Sequence, residues 1–329
     1  MTTYASSPTA IALRRAAVRA TTAPSVHNTQ PWHFTLGADG MSLYADRARQ
    51  LPVLDPTSRQ LTISCGCALL NARASLAADG FEAIIDRTPD IRDSQLLAVI
   101  TAKESGTVDV DLAALDGEID RRHTNRRRFD DEPVPEDVLD ALEEAVHAED
   151  ARLIVIHDVD QRLMVTRLAQ HADEIQNLNP SYRAEVRAWT TDDPGRLDGV
   201  PSTVIPRVTA LTHDDVPIRN FDMHASGALP TDTHSSRKQT LVLLCTEGDR
   251  QHDWLRAGEG LERALLEITK HGYAASPLTQ ITEVPSTREA LRAELGIDDF
   301  PHVLLRVGRA PATPGTRRRR LVDVLVEEI

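Results

Sequence analysis

Apolar residues recur along this chain with two periods, and each period predicts a type of element where it holds. Residues 8 to 20 carry the helical spacing, whereas "WHFTL" and "MSLYAD", separated by "GADG", alternate as the two arms of a β-hairpin. From Thr57 onward, Leu61, Ala68, Leu69, Ala72 and Leu76 fall on one another's helical face, which predicts a largely buried helix ending at Gly80, followed by a strand at "QLLAVITA". Further on, "ARLIVIHD" and "QTLVLLCT" are near-continuous apolar runs of strand length and predict buried strands. Two helical stretches lie between them, "DQRLMVTRLAQHADEIQNL" and "PSYRAEVRAWT". Between residues 253 and 308 a helix, "AGEGLERALLEITKHGY", again runs on to an apolar strand, "HVLLRVG". Ser286 and Glu289 have the S-x-x-E spacing of a capping box, and Gly296 suits the left-handed residue that closes the same helix.

The later helix and strand repeat the earlier ones. Gly66 and Gly80 are fourteen residues apart, as are Gly258 and Gly272; Leu69 and Leu261 each follow the first glycine by three, and an aromatic, Phe81 or Tyr273, follows the second. A weaker echo links "RRAAVR" at 14–19 with "RRHTNR" at 121–126. Two readings are open: chance likeness of two amphipathic helices, or two related halves fused in one chain, a truncated half over 1–115 and a fuller half over 116–329, joined near 105–118. The fuller half carries extra material between 158 and 250, in which the Pro- and Gly-containing run around 190–237 is long enough to predict a lid.

Charge and composition narrow the function classes. A net charge of −13 and a pI near 5.4 oppose nucleic-acid binding, which needs phosphates neutralised. The opening has no basic segment followed by an apolar one, and no run approaches the ~18 apolar residues of a membrane span, so a cytoplasmic protein bound to no membrane is expected. Cys65, Cys67 and Cys245 match neither a CxxC redox pair nor a zinc site and are expected as buried free thiols.

Candidate chemistry concentrates in three places. "TTAPSVHNTQPWHF" at 21–34 joins the first helix to the hairpin and packs turn-forming, hydrogen-bonding side chains against a Pro-Trp pair, as if to hold polar groups still at the mouth of a strand. Arginines cluster at "RRHTNRRR" (121–128) and "RRRR" (317–320) in an otherwise acidic chain. On a helix Arg122 and Arg126 would share a face and could grip one phosphate; a solvated cationic face neutralised by the downstream "DDEPVPED" is the alternative. His27 and His33 lack metal-ligand spacing, and G-x-S-x-G, G-x-G-x-x-G and Walker A motifs are all missing, so no metal, hydrolase, Rossmann or P-loop reading is supported.

The segment "APSVHNTQPWHF" resembles the A-P-S-x-x-N-x-Q-P-W-x-F motif of nitroreductase-like flavoproteins, and the whole chain is similar to the Acg family of actinobacterial nitroreductase-like proteins. "RRHTNRRRF", "PSYRAEVRAWT" with "DGVP", "GEGLERALLEITKHGYAASPL", "LRAELG" and the last arginine cluster occur in that family's order. The resemblance implies an α+β fold, a mixed β-sheet flanked by helical layers, with bound FMN. Ordinary members build the FMN site between two subunits; here a fused pair of halves would build it within one chain, which leaves monomer and homodimer both open. It implies Pro24, Ser25, Val26, Asn28 and Gln30 from the first half, and Arg122, Thr124, Asn125, Arg126 and one of Arg318 or Arg319 from the second. Leu278, Thr279 and Gln280 follow Pro277, where many relatives place a Glu-Gly pair beside the flavin. Only the first half has the Pro-Ser-x-x-Asn segment, so one FMN per chain is expected. No catalytic side chain is required, because the cofactor carries the chemistry. The implied activity is electron transfer from NAD(P)H or another donor to quinone-like or nitro-type aromatic acceptors. A flavin-sequestering protein with little turnover and a cofactor-free interaction protein are the rivals.

Overall fold

The computed structural model describes residues 7–37, 40–90, 92–104, 107–207, 216–222, 226–230 and 239–327. Helix α1 (Pro8–Thr21) starts at Ser7, whose hydroxyl accepts the Ala10 N–H, with Pro8 in the first turn where its missing donor costs nothing. It leads through the polar turn into the hairpin β1 (Trp32–Leu36) and β2 (Gly40–Ala45). Helix α2 (Arg59–Ala78) follows and is buried almost all round, which is why its residues show little amphipathic contrast; contrary to the expectation that no run would approach a membrane span, it is long and apolar enough to cross one, but here it is a core helix. After Gly80, at φ +86°, come β3 (Phe81–Arg87) and β4 (Leu96–Glu104), and then the short α3 (Val110–Ala114) within the expected junction.

The rest of the chain runs through α4 (Glu136–His147), β5 (Arg152–Val155), α5 (Val159–Leu178), α6 (Pro180–Ala188), β6 (Thr240–Thr246), α7 (Gln251–Lys270), β7 (Ala274–Pro277), α8 (Gln280–Glu283), α9 (Pro285–Leu295), β8 (Phe300–Gly308) and β9 (Leu325–Glu327). Of the run around 190–237, residues 208–215, 223–225 and 231–237 lie outside the described residues.

Two sheets result. One has the order β3-β4-β2-β1-β9, antiparallel except for β9, which lies parallel to β1; the other has the order β7-β8-β6-β5 and is antiparallel throughout. The first four strands of the mixed sheet thus have the same order and directions as the second sheet. Each sheet also carries one register shift at a matching place, after Leu43 in β2 and after Leu244 in β6. Helices α2 and α7 pack on each other between the sheets. At their crossing the backbones touch: a Cβ on Gly66 would sit 2.1 Å from the Leu255 carbonyl oxygen, and one on Gly258 2.0 Å from that of Ile63. Alternate residues of β6 enter two cores, Val242 and Leu244 facing the main one and Leu241, Leu243 and Cys245 facing a second under α5, α8 and α9. Helices therefore cover both faces of the second sheet, which is why β6 reads as one apolar run.

Four expectations are corrected. Residues 121–126 form no helix, running from a turn at Arg121 to an isolated bridge at Thr124, so the echo with 14–19, which lie within α1, has no structural counterpart. The capping box at Ser286 does not form: Val284 is the N-cap and Pro285 the first helical residue, leaving Ser286 inside the turn, although Gly296 does close α9 at φ +62°. There are two sheets where one was expected. Strands β3, β7 and β9 and helices α3, α4 and α8 are additional elements.

Candidate functional site

The site starts from the turn at 24–30. Its residues His27, Asn28 and Gln30 hold left-handed backbone conformations, φ 48°, 55° and 50°, at a cost of about 1 kcal/mol or more each. Ties to three other regions offset this. The Gln30 N–H donates to Ser25 Oγ (2.9 Å) and the Val26 N–H to Ser64 Oγ of α2 (3.2 Å). Asn28 Nδ2 donates to the Gly199 carbonyl (2.9 Å) in the insertion and to the Arg317 carbonyl (3.2 Å) in the tail.

A second wall is the segment after Arg121. The Asn125 N–H donates to the Ala275 carbonyl (2.9 Å), which anchors the segment beside β7. Arg122, His123, Thr124 and Arg126 all border the cleft that this segment walls. The third wall is the tail: Arg318 Nη1 donates to Asn28 Oδ1 (3.1 Å) and Nη2 to the Thr22 carbonyl (3.1 Å).

These walls enclose two adjoining clefts. The smaller, about 460 Å³, is lined by Arg122, Arg126, Arg318, Ser25 and Asn28. The larger, about 790 Å³ counted to its mouth, has an apolar body of Val26, Ile63, Leu261, Leu265 and Val303. Gln60, Ser64, Thr279 and Gln280 also line it, and Pro24, Ser25, Thr124 and Arg126 border both clefts.

Positive charge is in excess at the smaller cleft. Arg122 sits 3.4 Å from buried Glu262, but among the described residues Arg126 and Arg318 have no carboxylate partner. Burial, and then the Arg219 cation, push Arg126 down to about 10; burial and Arg122 push Arg318 down to about 9. Crowded guanidinium groups short of anions are what a phosphate would satisfy. Burial and the cations Arg219 and Arg126 hold His27 well below the usual imidazole range, so it stays neutral. The donor set therefore fits a ligand with a phosphate at one end and a planar, mostly apolar body at the other.

Of the expected residues, Pro24, Ser25, Asn28, Arg122, Thr124, Arg126 and Arg318 are brought to the smaller cleft, and Val26, Thr279 and Gln280 to the larger. Gln30, Asn125, Leu278 and Arg319 line neither. Gln30 donates to the Leu197 carbonyl (2.9 Å) and accepts the Arg319 N–H (2.7 Å), while the Arg319 guanidinium reaches the Gln30 and Trp32 carbonyls, so this pair clamps the tail. Asn125 Nδ2 donates to the Pro311 carbonyl (2.8 Å), and Leu278 belongs to the second core.

Within the run expected as a lid, residues 216–222 form a strap whose side chains the sequence reading did not single out. Ile218, Arg219 and Phe221 line the larger cleft. Buried Arg219 pairs with Glu283 (2.5 Å), donates to Thr279 Oγ1 (3.1 Å) and contacts His27 Nε2. Phe221 meets His27 edge-on with 5.1 Å between ring centroids, and Arg126 lies 5.0 Å over its ring. Polar side chains inside a largely apolar helix, Gln60 and Ser64 in α2, were the signal available for the rest.

Glu262 gives a pH prediction. Burial pushes its carboxyl up to about 7 from 4.5, against the pull of Arg122 and Asn71. The folded state then holds an extra proton between those values, so this contribution to stability is full below pH ~4.5 and lost as pH rises through about 7. Subtracting the unfolding free energy of Glu262→Gln from that of the wild type, each taken from urea melts at successive pH values, should reveal a fall of about 2–4 kcal/mol across this window. A flat difference would place the carboxyl in a wetter setting.

The model of the Nitroreductase family matches residues 119–309. Over 97% of this chain and 92% of the relative, the chain is 33% identical to Rv3131 of Mycobacterium tuberculosis, whose name assigns it provisionally to the NAD(P)H nitroreductases. The acg protein of the same species, provisionally named likewise, is 31% identical over 92% of this chain and 91% of the relative. Among solved structures, an FMN-bound nitroreductase from Desulfitobacterium hafniense matches at TM-score 0.40 and 12% identity, covering 63% of this chain and 95% of that one. The chain belongs to the nitroreductase family.

Proposed function

We propose that this protein binds one FMN per chain and passes electrons from NAD(P)H or another donor to quinone-like or nitro-type aromatic acceptors. One observation carries the reading. Arg122, Arg126 and Arg318 converge with the Ser25–Asn28 turn on a cleft that continues into an apolar one, so elements far apart in the chain build a phosphate end and a ring end together. When bound, FMN supplies the two-electron redox chemistry at its ring. The chain's residues do the rest: the arginines anchor the phosphate, the left-handed turn aims backbone groups at the ligand, and Ile63, Leu261, Leu265 and Val303 keep water from the ring. Relatives named as NAD(P)H nitroreductases support the donor.

Single occupancy is supported by the ion-paired cluster at the counterpart of this site. We infer that the two halves arose by duplication, from the matched strand order and the reciprocal glycine crossing. The offset between Gly66 and Gly258, and between Gly80 and Gly272, is 192 residues. It sends the cleft residues Cys67, Leu265 and Thr279 to Glu259, Arg73 and Arg87. Those residues make a buried ionic cluster: Arg73 bonds Glu149 (2.5 Å) and Glu259 (2.6 Å), Arg87 bonds Glu259 (2.7 Å), and Arg263 bonds Glu149 (2.7 Å). Both carboxylates are fully buried. Paired charge fills the space a second ligand would need.

Flavin sequestration is the second reading, favoured by the strap. Ile218, Arg219 and Phe221 stand where an acceptor would approach, and the Arg219–Glu283 pair latches them. An anaerobic absorbance titration near 450 nm separates the two. Bleaching by NADH or NADPH that a quinone or nitro compound reverses, at one flavin per chain, is expected of the oxidoreductase. Bleaching by dithionite alone would favour sequestration, and absence of flavin binding would defeat both.

A further inference from the structure

The two sheets differ at one edge. In the mixed sheet β1 is covered by β9, and the Phe34 N–H donates to the Val324 carbonyl (2.7 Å). In the second sheet the matching strand, β5, is the last in the order. The register identifies the equivalent residue: Phe34 pairs with Leu43 and Leu153 with Leu244, and each partner directly precedes its sheet's register shift. Leu153 therefore stands where Phe34 stands. The Ile156 N–H donates to the Leu241 carbonyl (2.9 Å), so by antiparallel alternation Ile154 and Arg152 face β6, while the backbone groups of Leu153 and Val155 point outward. Among the described residues nothing pairs with them.

An open groove of about 1,070 Å³ runs along this edge, walled by α4. Its wall carries Asp140, Glu143 and Glu144, all exposed and none in an ion pair among the described residues. The one arginine lining the groove, Arg152, is already paired with Asp299 (3.0 Å). A bare edge of this kind invites another chain, and here it is short and rimmed by carboxylates, which repel acidic strands and attract basic ones.

We propose that the outer edge of β5 and the acidic face of α4 form a docking site for an extended, basic segment of a partner protein, which adds a strand parallel to β5 as β9 adds to β1. Backbone groups of Leu153 and Val155 supply the ladder, and Lys or Arg side chains of the segment meet Asp140, Glu143 and Glu144. The inference rests on strand register and charge and is independent of the flavin reading.

The probe is a synthetic peptide of residues 316–327, TRRRRLVDVLVE, the segment that covers the equivalent edge and carries four arginines. It is titrated into the intact protein while amide exchange is followed by NMR. Expected are fast exchange at Leu153 and Val155 in the free protein and protection of both with peptide. A loss of affinity of tenfold or more is expected in Asp140→Asn/Glu143→Gln/Glu144→Gln, whose exposed positions leave the fold intact. Slow exchange at both amides before peptide is added would overturn the proposal, because the edge would already be covered. Protection confined to Phe34 and Leu36, affinity unchanged in the triple variant, or peptide-free dimers protecting Leu153 would overturn it equally.

Discussion

Arg126→Ala should weaken FMN binding roughly 10- to 150-fold while leaving the apoprotein about as stable as before. A hydrogen bond to a charged group is worth about 1.5–3 kcal/mol, and each 1.4 kcal/mol is a factor of ten. Arg126 has no carboxylate partner among the described residues and is already pushed down to about 10, so its removal strands no buried anion and relieves crowding with Arg219. The loss of its stacking on Phe221 costs roughly 0.5–1 kcal/mol in the other direction. Arg318→Ala should weaken binding alike, since burial and Arg122 oppose its charge in the same way, but it also gives up the hydrogen bonds to Asn28 and Thr22 and so lowers stability. Arg122→Ala should differ: it weakens binding and also removes the cation beside Glu262, whose carboxyl then rises further above about 7 and takes up a proton, so the stability it costs grows as pH rises. Fluorescence titration of apoprotein with FMN, beside urea melts of each variant, separates the two patterns. Unchanged FMN affinity in the Arg126→Ala/Arg318→Ala double variant would remove the phosphate assignment.

That contrast among arginines was not legible in the sequence, although the cluster itself was. A run such as "RRHTNRRR" announces an anion site or a solvated face, but which arginine pairs with Glu262 depends on α7, far along the chain. Local signals served well where the physics is local: the glycines after α2 and α9 and the alternation of β1 and β2. The Pro24–Asn28 segment was recognisable because short polar side chains and proline leave few other uses for a turn. Strand β3, with half its residues partly exposed, blurs its own alternation, and three-residue β9 exists only through pairing with β1. Helix α4 was readable, with Val138, Leu139, Leu142 and Val146 on one face, but the acidic residues around it read as loop. The strap residues Arg219 and Phe221 carry no local signature; only the closed cleft gives them a place.

Gly66→Ala and Gly258→Ala should be the most damaging single-methyl changes in the protein. Each added Cβ would lie about 2 Å from a backbone carbonyl oxygen of the opposite helix, 2.1 Å for Gly66 and 2.0 Å for Gly258, and neither oxygen is on a flexible side chain. The helices must separate, whereas overpacking against side chains typically costs about 1–3 kcal/mol. A cost above that range removes much of the ~5–15 kcal/mol that stabilises a folded protein. Separation also moves Ile63, Ser64 and Cys67 on α2 away from Leu261 and Leu265 on α7, so the ring cleft widens and flavin should be lost before the fold is. Gly80→Ala is the control. Gly80 needs its left-handed φ of +86°, but a Cβ there meets nothing within 4 Å, so only backbone strain of about 1–2 kcal/mol applies. Urea midpoints and retained flavin for the three variants decide the matter: a Gly66→Ala protein as stable as Gly80→Ala would mean that the α2–α7 crossing is looser than the glycine contact requires.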